Sequence, residues 1–476
     1  MTTSTGSHEP RRRTAEAQRI EFRDVHALRG PLLVLGETSD VGWDESAVVE
    51  LDDGSVRHGV VLEVERDLVT LQVLEGTAGI EPGSVGVRFT GDPFAIPVGP
   101  GWLGRVCNGR GDPLDGGPPV VGEATVPVNG MPLNPVHREP PADPIRTGIS
   151  AIDGLTTLVR GQKLPIFSVP GLSHLALATQ IAAQARSAGA GFRVVFVAMG
   201  LTHADIDMVR DRLEERAASG ELVLLLNAAD DPVIERILAP RVGLTIAEHL
   251  AYEEGDDVLV IMSDMTSYAE AVREVSAARR EIPARRGYPG YLYSDLASIY
   301  ERCGRVRGHD GSVTIVPVLT MPGGDITHPV PDLTGYITEG QVVLAADVAA
   351  RGVHPPVDTG SSLSRLMRAG AGEGRTREDH LPVSAQALAS LSRSMRAAEL
   401  AELMGSDSLG ETDQAYLRYR DRFERSVLTQ RENEDRSFDQ TLDRIWDALG
   451  ALPERELTMI PTAMIERHRA RHEEEQ

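Results

Sequence analysis

Lysine is nearly missing from this chain of 476 residues: Lys163 stands alone against 47 arginines. That absence excludes one chemistry. A loop that hydrolyses ATP needs a Lys directly after a Gly and before Ser or Thr, so that the ammonium reaches the β- and γ-phosphates. Lys163 follows Gln162 and precedes Leu164, so it cannot serve such a loop. The preference for Arg elsewhere reads as codon usage rather than as a binding device.

Cysteine is scarce as well. Cys107 and Cys303 are too few for a disulfide framework, and neither belongs to a C-x-x-C pair. Two buried thiols in a reducing cytoplasm fit that count. No apolar run reaches the length of a membrane span. Residues 1–18 carry a basic patch with no apolar segment behind it, unlike a signal peptide, and a disordered tail is expected there. Any link to a membrane then runs through partners. Net positive charge is also lacking: the balance is −23. Nucleic-acid binders need a basic surface to release counterions, so no nucleic-acid partner is expected. What remains is an ordinary soluble balance, with 25% charged and 41% hydrophobic residues. The length suffices for two or three domains.

Short β-rich runs alternate with turn signals over 19–93, and Asp53-Gly54 between Val/Leu runs signals a hairpin. A small N-terminal β-barrel is expected there. The Pro/Gly-rich stretch 94–145 reads as irregular connection. From Ile149 to about 350, strands and helices alternate. The expected strands are Leu164–Ser168, Arg193–Met199, Glu221–Asn227, Val258–Ser263 and Val313–Leu319, with helices such as 202–219 and 267–280 between them. This alternation predicts an α/β core with a parallel sheet. Beyond residue 380 the chain reads as a C-terminal helical domain, with caps at Ser406-Asp407 and Thr412-Asp413. The expected domains are 19–93, 94–375 and 376–476.

In such a core the first strand runs into a Gly-rich loop and a helix, which aims backbone N–H groups at phosphates. Here Leu164–Ser168 is followed by Val169-Pro170-Gly171-Leu172-Ser173-His174 and an expected helix 175–188. Pro170 removes a donor. Gly171 alone offers backbone freedom and is the loop's candidate nucleotide contact. The strand VLVIMS runs into Asp264, where an active NTPase places a Mg²⁺-positioning carboxylate; the other reading is an acid that caps the next helix or holds a loop. Gly200 is followed by Leu201, which can activate no water, and the nearest acid, Asp205, suits a helix N-terminus. His328 has no second ligand at useful spacing, so a hydrogen-bonded loop His is expected and no metal site.

Residues 287–344, GYPGYLYSDLASIYERCGRVRGHDGSVTIVPVLTMPGGDITHPVPDLTGYITEGQVVL, resemble the nucleotide-binding domain of rotary ATPases. Residues 355–364, PPVDTGSSLS, match that family's stretch of Pro, a small residue or Pro, an aliphatic, an Asp, Asn or His, three variable positions and Ser-x-Ser, through Pro355, Pro356, Val357, Asp358, Ser362 and Ser364. The order of barrel, core and helices is similar too, over nearly the whole chain from residue 20. Within the family the missing lysine resembles the non-catalytic, regulatory B subunit of the vacuolar/archaeal type. B subunits usually carry Gly-Ser-Gly-Leu-Pro-His at the loop, and this chain departs further through Val169, Pro170 and Ser173. It also has Gly324-Asp325 where two acids are usual.

The resemblance implies a RecA-like core in a subunit that alternates with a catalytic A subunit in a heterohexamer. It implies contact with a central rotor shaft and peripheral stalk subunits, with the membrane met only indirectly and ion movement, H⁺ or Na⁺, in a separate sector. The location implied is cytoplasmic, in the soluble sector at the cell membrane. ATP or ADP, with its Mg²⁺, would sit at the interface with the A subunit. Arg365, directly after the matched stretch, would reach the neighbour's γ-phosphate as an arginine finger, with Ser364 helping to position the finger or the nucleotide. The Tyr288-Pro289-Gly290-Tyr291 turn would lie near the interface and the rotor, with ordinary packing of the tyrosines as the other reading. Two rivals remain: a scaffold subunit with no catalytic contribution, and a self-sufficient homohexameric ATPase of the same fold.

Overall fold

The computed structural model describes residues 21–36, 40–65, 68–189, 191–405 and 408–474. The tail expected over 1–18 and the Ser406-Asp407 cap lie outside them. The chain divides into two compact units, Met1–Phe94 and Ala95–Gln476.

The first unit is a seven-stranded antiparallel β structure. Its strands run in the order Glu21–Phe22, Val85–Pro93, Glu45–Leu51, Val56–Glu65, Leu68–Val73, Leu32–Gly36, Val25–Arg29. Gly54 takes a φ of +82°, and the Leu51 N–H closes the hairpin on the Ser55 carbonyl at 2.9 Å. Period-two patterning sends Leu33, Leu35, Val49, Leu71 and Val87 into one core.

The second unit holds a largely parallel sheet in the order Leu363–Ser364, Gly340–Leu344, Ile166–Ser168, Ser312–Thr320, Asp257–Ser263, Phe192–Leu201, Leu222–Ala228, Val106–Asn108. Only the terminal Leu363–Ser364 strand runs antiparallel to its neighbour along this order. Helices His174–Gln184, His203–Ala218, Val233–Tyr252 and Met265–Ala278 connect the strands. Every residue from Leu222 to Ala228 and from Asp257 to Ser263 is buried, as a parallel sheet covered on both faces requires.

Four local expectations are corrected. The stretch 94–145 is not purely irregular: its Val106-Cys107-Asn108 segment joins the sheet edge beside Leu224–Leu226. The first strand is shorter than expected, Ile166–Ser168, because Pro165 has no N–H for the ladder. The helix expected over 175–188 ends at Gln184, and Arg186–Ser187 pairs with Ile145 and Arg146 instead. Thr412 and Asp413 are not caps. The helix Glu411–Phe423 starts after Gly410, which puts both in its first turn.

Helices His380–Met404, Glu411–Phe423, Phe438–Leu449 and Thr462–Glu474 follow. A capping box of Ser437 and Gln440 starts the third. Tyr419, Phe423, Leu442, Ile445 and Trp446 share a core with Ile149, Ile152 and Leu155. From Ala95 on, the stretches expected as 94–375 and 376–476 therefore lie within one compact unit. No helix among the described residues is long and apolar enough to cross a membrane.

Candidate functional site

The strand Ile166–Ser168 delivers the chain to the loop that would face phosphates. Gly171 there has a φ of +87° and open space where a Cβ would stand. The helix that follows starts at His174 with no side-chain cap from Ser173. The acid beside the loop is Asp264, with Oδ2 3.8 Å from His174 Nε2. Its oxygens are already engaged. Oδ1 accepts from the Thr266 N–H at 2.6 Å, and Oδ2 accepts from the Thr320 hydroxyl at 2.5 Å. Asp264 thus caps Met265–Ala278 and ties down the end of the Ser312–Thr320 strand. At the second strand, Leu201 is buried. Asp205 closes on the N-cap Thr202, accepting its hydroxyl at 2.7 Å.

The 355–364 stretch wraps the strand Gly340–Leu344. The Asp358 N–H donates to the Val343 carbonyl at 2.8 Å. Ser362 Oγ accepts from the Val343 N–H at 2.9 Å and donates to the Asp358 carbonyl at 2.6 Å. These residue types make a turn that hangs on the sheet edge. Ser364 then pairs with Gly340. Its hydroxyl accepts from Gln162 Nε2 at 2.9 Å and donates to the Thr157 carbonyl at 3.3 Å. Arg365 is exposed. Its backbone N–H reaches the Glu339 carbonyl at 3.0 Å, and its Nη1 rests on the Thr338 carbonyl at 3.2 Å.

Register separates the candidate residues. Ser168 pairs with Leu344, where the Gly171 loop leaves the sheet, whereas Ser364 pairs with Gly340 at the other end of the same strand. Four residues of extended chain span about 13 Å. Gly171 and Asp264 are brought to one end of the strands; Ser364 and Arg365 are held at the other.

Tyr288 is buried under Arg273, whose guanidinium lies 5.4 Å from the ring centre, and its hydroxyl donates to Glu270. Tyr291 is 39% exposed. His328 differs from expectation. It is buried edge-on to Tyr288 at 5.5 Å, and its Nδ1 has no hydrogen-bond partner among the described residues. Burial, first of all, lowers its pKa. Asp325 pairs with Arg286 at 2.7 Å. Hydrogen bonds from Thr327 and Arg286 bring its carboxyl down to about 2.

Nothing in the sequence assigns Lys163 a role. Its Nζ lies 2.6 Å from Glu339 Oε1 and 3.7 Å from Glu301 Oε1, in a site where Lys163 is 3% exposed. Its singular residue type was the available signal; Glu339, 176 positions away, carried none.

Residues 148–364 match the ATP synthase alpha/beta family, nucleotide-binding domain. Residues 369–469 match the C-terminal domain of V and A type ATP synthase, and 25–91 the family's beta-barrel domain. The chain is 52% identical over 454 residues to the B subunit of the A-type ATP synthase of Aeropyrum pernix, covering 95% of this chain and 98% of that relative. A solved structure of an ATP synthase subunit from Nanoarcheaum equitans is similar at TM-score 0.69 and 36% identity, over 89% of this chain and 100% of that one.

Proposed function

Because the chain belongs to the ATP synthase alpha/beta family, with the C-terminal domain of its V and A types, we propose that it is the non-catalytic, regulatory B subunit of a rotary ATP synthase. It lines the catalytic site of a neighbouring A subunit and lends Arg365 to that site.

One observation carries the reading: the exposed Arg365 stands at the opposite end of the sheet edge from the chain's own lysine-free loop. It is badly placed for a nucleotide on that loop and well placed to serve another chain. An arginine suits the task. Its charge is permanent, and its planar fork of donors matches phosphate oxygens. Such a group stabilises charge that develops in transfer of the γ-phosphoryl group and is worth about 10³–10⁵ in rate.

The nucleotide, ATP or ADP, belongs to the interface with the A subunit. Mg²⁺ arrives with it and neutralises phosphate charge. Asp264 accepts from Thr266 and Thr320, which hold it as a helix cap and strand tie. Three copies alternate with three A subunits around a rotor shaft, held by peripheral stalks, at the cytoplasmic face of an ion-translocating membrane sector. The self-sufficient homohexameric ATPase has no support, because the 169–174 loop holds no lysine.

ATPase activity measured for the chain alone, with its A partner, and with that partner and Arg365→Ala tests the reading. The expected result is activity only with the partner, falling by about 10³ or more in the variant. Wild-type activity in the Arg365→Ala complex would leave a scaffold role. Activity of the chain alone would overturn the lysine argument.

A further inference from the structure

The only lysine of the chain lies under the candidate finger. Gln162 and Lys163 bind both segments that flank Arg365. The Lys163 carbonyl accepts from the Glu339 N–H at 3.0 Å. The Glu339 carboxylate takes the Lys163 N–H at 2.8 Å and the ammonium at 2.6 Å. Gln162 Nε2 donates to the Glu339 carbonyl at 3.3 Å and to Ser364 Oγ at 2.9 Å. That same Glu339 carbonyl receives the Arg365 N–H, and the preceding carbonyl, of Thr338, holds the guanidinium. Among the described residues, the groups that fix Arg365 by hydrogen bonding therefore lie on the 338–339 peptide units. Those units are anchored to Lys163.

The choice of side chain fits this role. Elsewhere the chain uses arginine in place of lysine throughout. Here the cation must fit a 3% exposed site between two carboxylates. An ammonium is a compact point charge, whereas a guanidinium is a wide planar fork. A buried charge that loses its partner is costly, so the pair resists being pulled apart. Both ends of the clasp also sit on rigid elements: Lys163 bridges to Ile315 of a central strand, and Gly340 continues into the strand Gly340–Leu344.

We propose that Lys163 and Glu339 are positioning residues for Arg365: their ion pair sets where the finger's backbone and resting guanidinium stand, and so its reach into the neighbouring site. The inference rests on the finger reading above. A displacement of about 1 Å in such a group can cost up to 10²-fold in rate, without altering how the neighbour binds its nucleotide.

The test is steady-state ATP hydrolysis by the complex reconstituted with the catalytic partner. The variants are Lys163→Met, Glu339→Gln, Arg365→Ala and each of the first two combined with Arg365→Ala. Glu339→Gln keeps the size and one acceptor oxygen, so it covers the case in which Lys163→Met fails to fold. The expected result is a fall in kcat of about ten- to a hundredfold with KM for MgATP unchanged. No further fall is expected once Arg365 is gone, since coupled residues are not additive. Losses that add to that of Arg365→Ala, or single variants with normal kcat, would overturn the positioning role while leaving the finger intact. A fully active Arg365→Ala complex would overturn the finger reading itself, and the positioning role with it.

Discussion

Glu339 holds the ammonium of Lys163 at 2.6 Å with its side chain and the amide of Arg365 at 3.0 Å with its main chain. One residue thus joins the only lysine of the chain to the arginine that follows the 355–364 turn. The two contacts use different atoms of Glu339, so they can be broken separately.

Removing either side of this ion pair should not cost the same. Lys163 is 3% exposed at its side chain, whereas Glu339 is 28% exposed. Glu339→Ala leaves a buried ammonium with only Glu301 at 3.7 Å. A cost of about 2–4 kcal/mol is expected, toward the lower part of the range for a broken buried pair because Glu301 remains. Lys163→Met leaves a carboxylate that water can reach, and should cost about 1 kcal/mol or less. Urea unfolding midpoints of the isolated chain measure both; equal losses would contradict the asymmetry.

Gly340 offers a way to move Arg365 without touching it. Its φ is +146°, and a Cβ there would collide with the Leu363 carbonyl and crowd Ser364. Gly340→Ala should push the Leu363–Ser364 strand off the edge and cost about 1–3 kcal/mol through overpacking. In the reconstituted complex its kcat should fall toward that of Arg365→Ala. Wild-type turnover from a folded Gly340→Ala chain would show that the seat of Arg365 does not matter.

His380 makes the stability of the fold depend on pH. Its ring is buried, with Nδ1 2.9 Å from the Thr376 hydroxyl and Nε2 3.2 Å from the Gly154 carbonyl. These contacts satisfy the neutral imidazole, with Nε2–H as donor. Burial lowers its pKa below the ordinary value. A base with a depressed folded-state pKa binds fewer protons in the native state than unfolded. Its contribution is therefore complete above about pH 6.5 and is lost as pH falls toward the folded-state pKa. Unfolding free energy measured from pH 8 down to pH 5 should fall more steeply for the wild type than for His380→Gln. Parallel curves would assign the slope to other groups.

The isolated chain should bind nucleotide poorly. Its loop has no lysine, and Pro170 lacks an N–H. Calorimetric titration with MgATP should show no saturable heat below about 1 mM, a weak-binding threshold near 4 kcal/mol. Micromolar binding would mean that backbone donors of the His174–Gln184 helix suffice alone.

The sequence by itself determined the class of the protein and much of its layout. Period-two runs ending at Asp53-Gly54 made the barrel readable, and the run VLVIMS before Asp264 marked a buried strand, because burial on both faces demands an unbroken apolar segment. The lysine missing after Gly171 was readable at once, since no arrangement of the backbone can supply an absent ammonium. Short segments were less legible. Val106–Asn108 is too brief to show a period, and only pairing along the free backbone edge of Leu224–Leu226 makes it a strand. The tertiary structure alone decided what Lys163 does and where Arg365 stands. Glu339 and Lys163 meet because Ile166–Ser168 and Gly340–Leu344 lie side by side in the sheet. That pairing is set by the packing of distant segments, so nothing local to either residue could announce it.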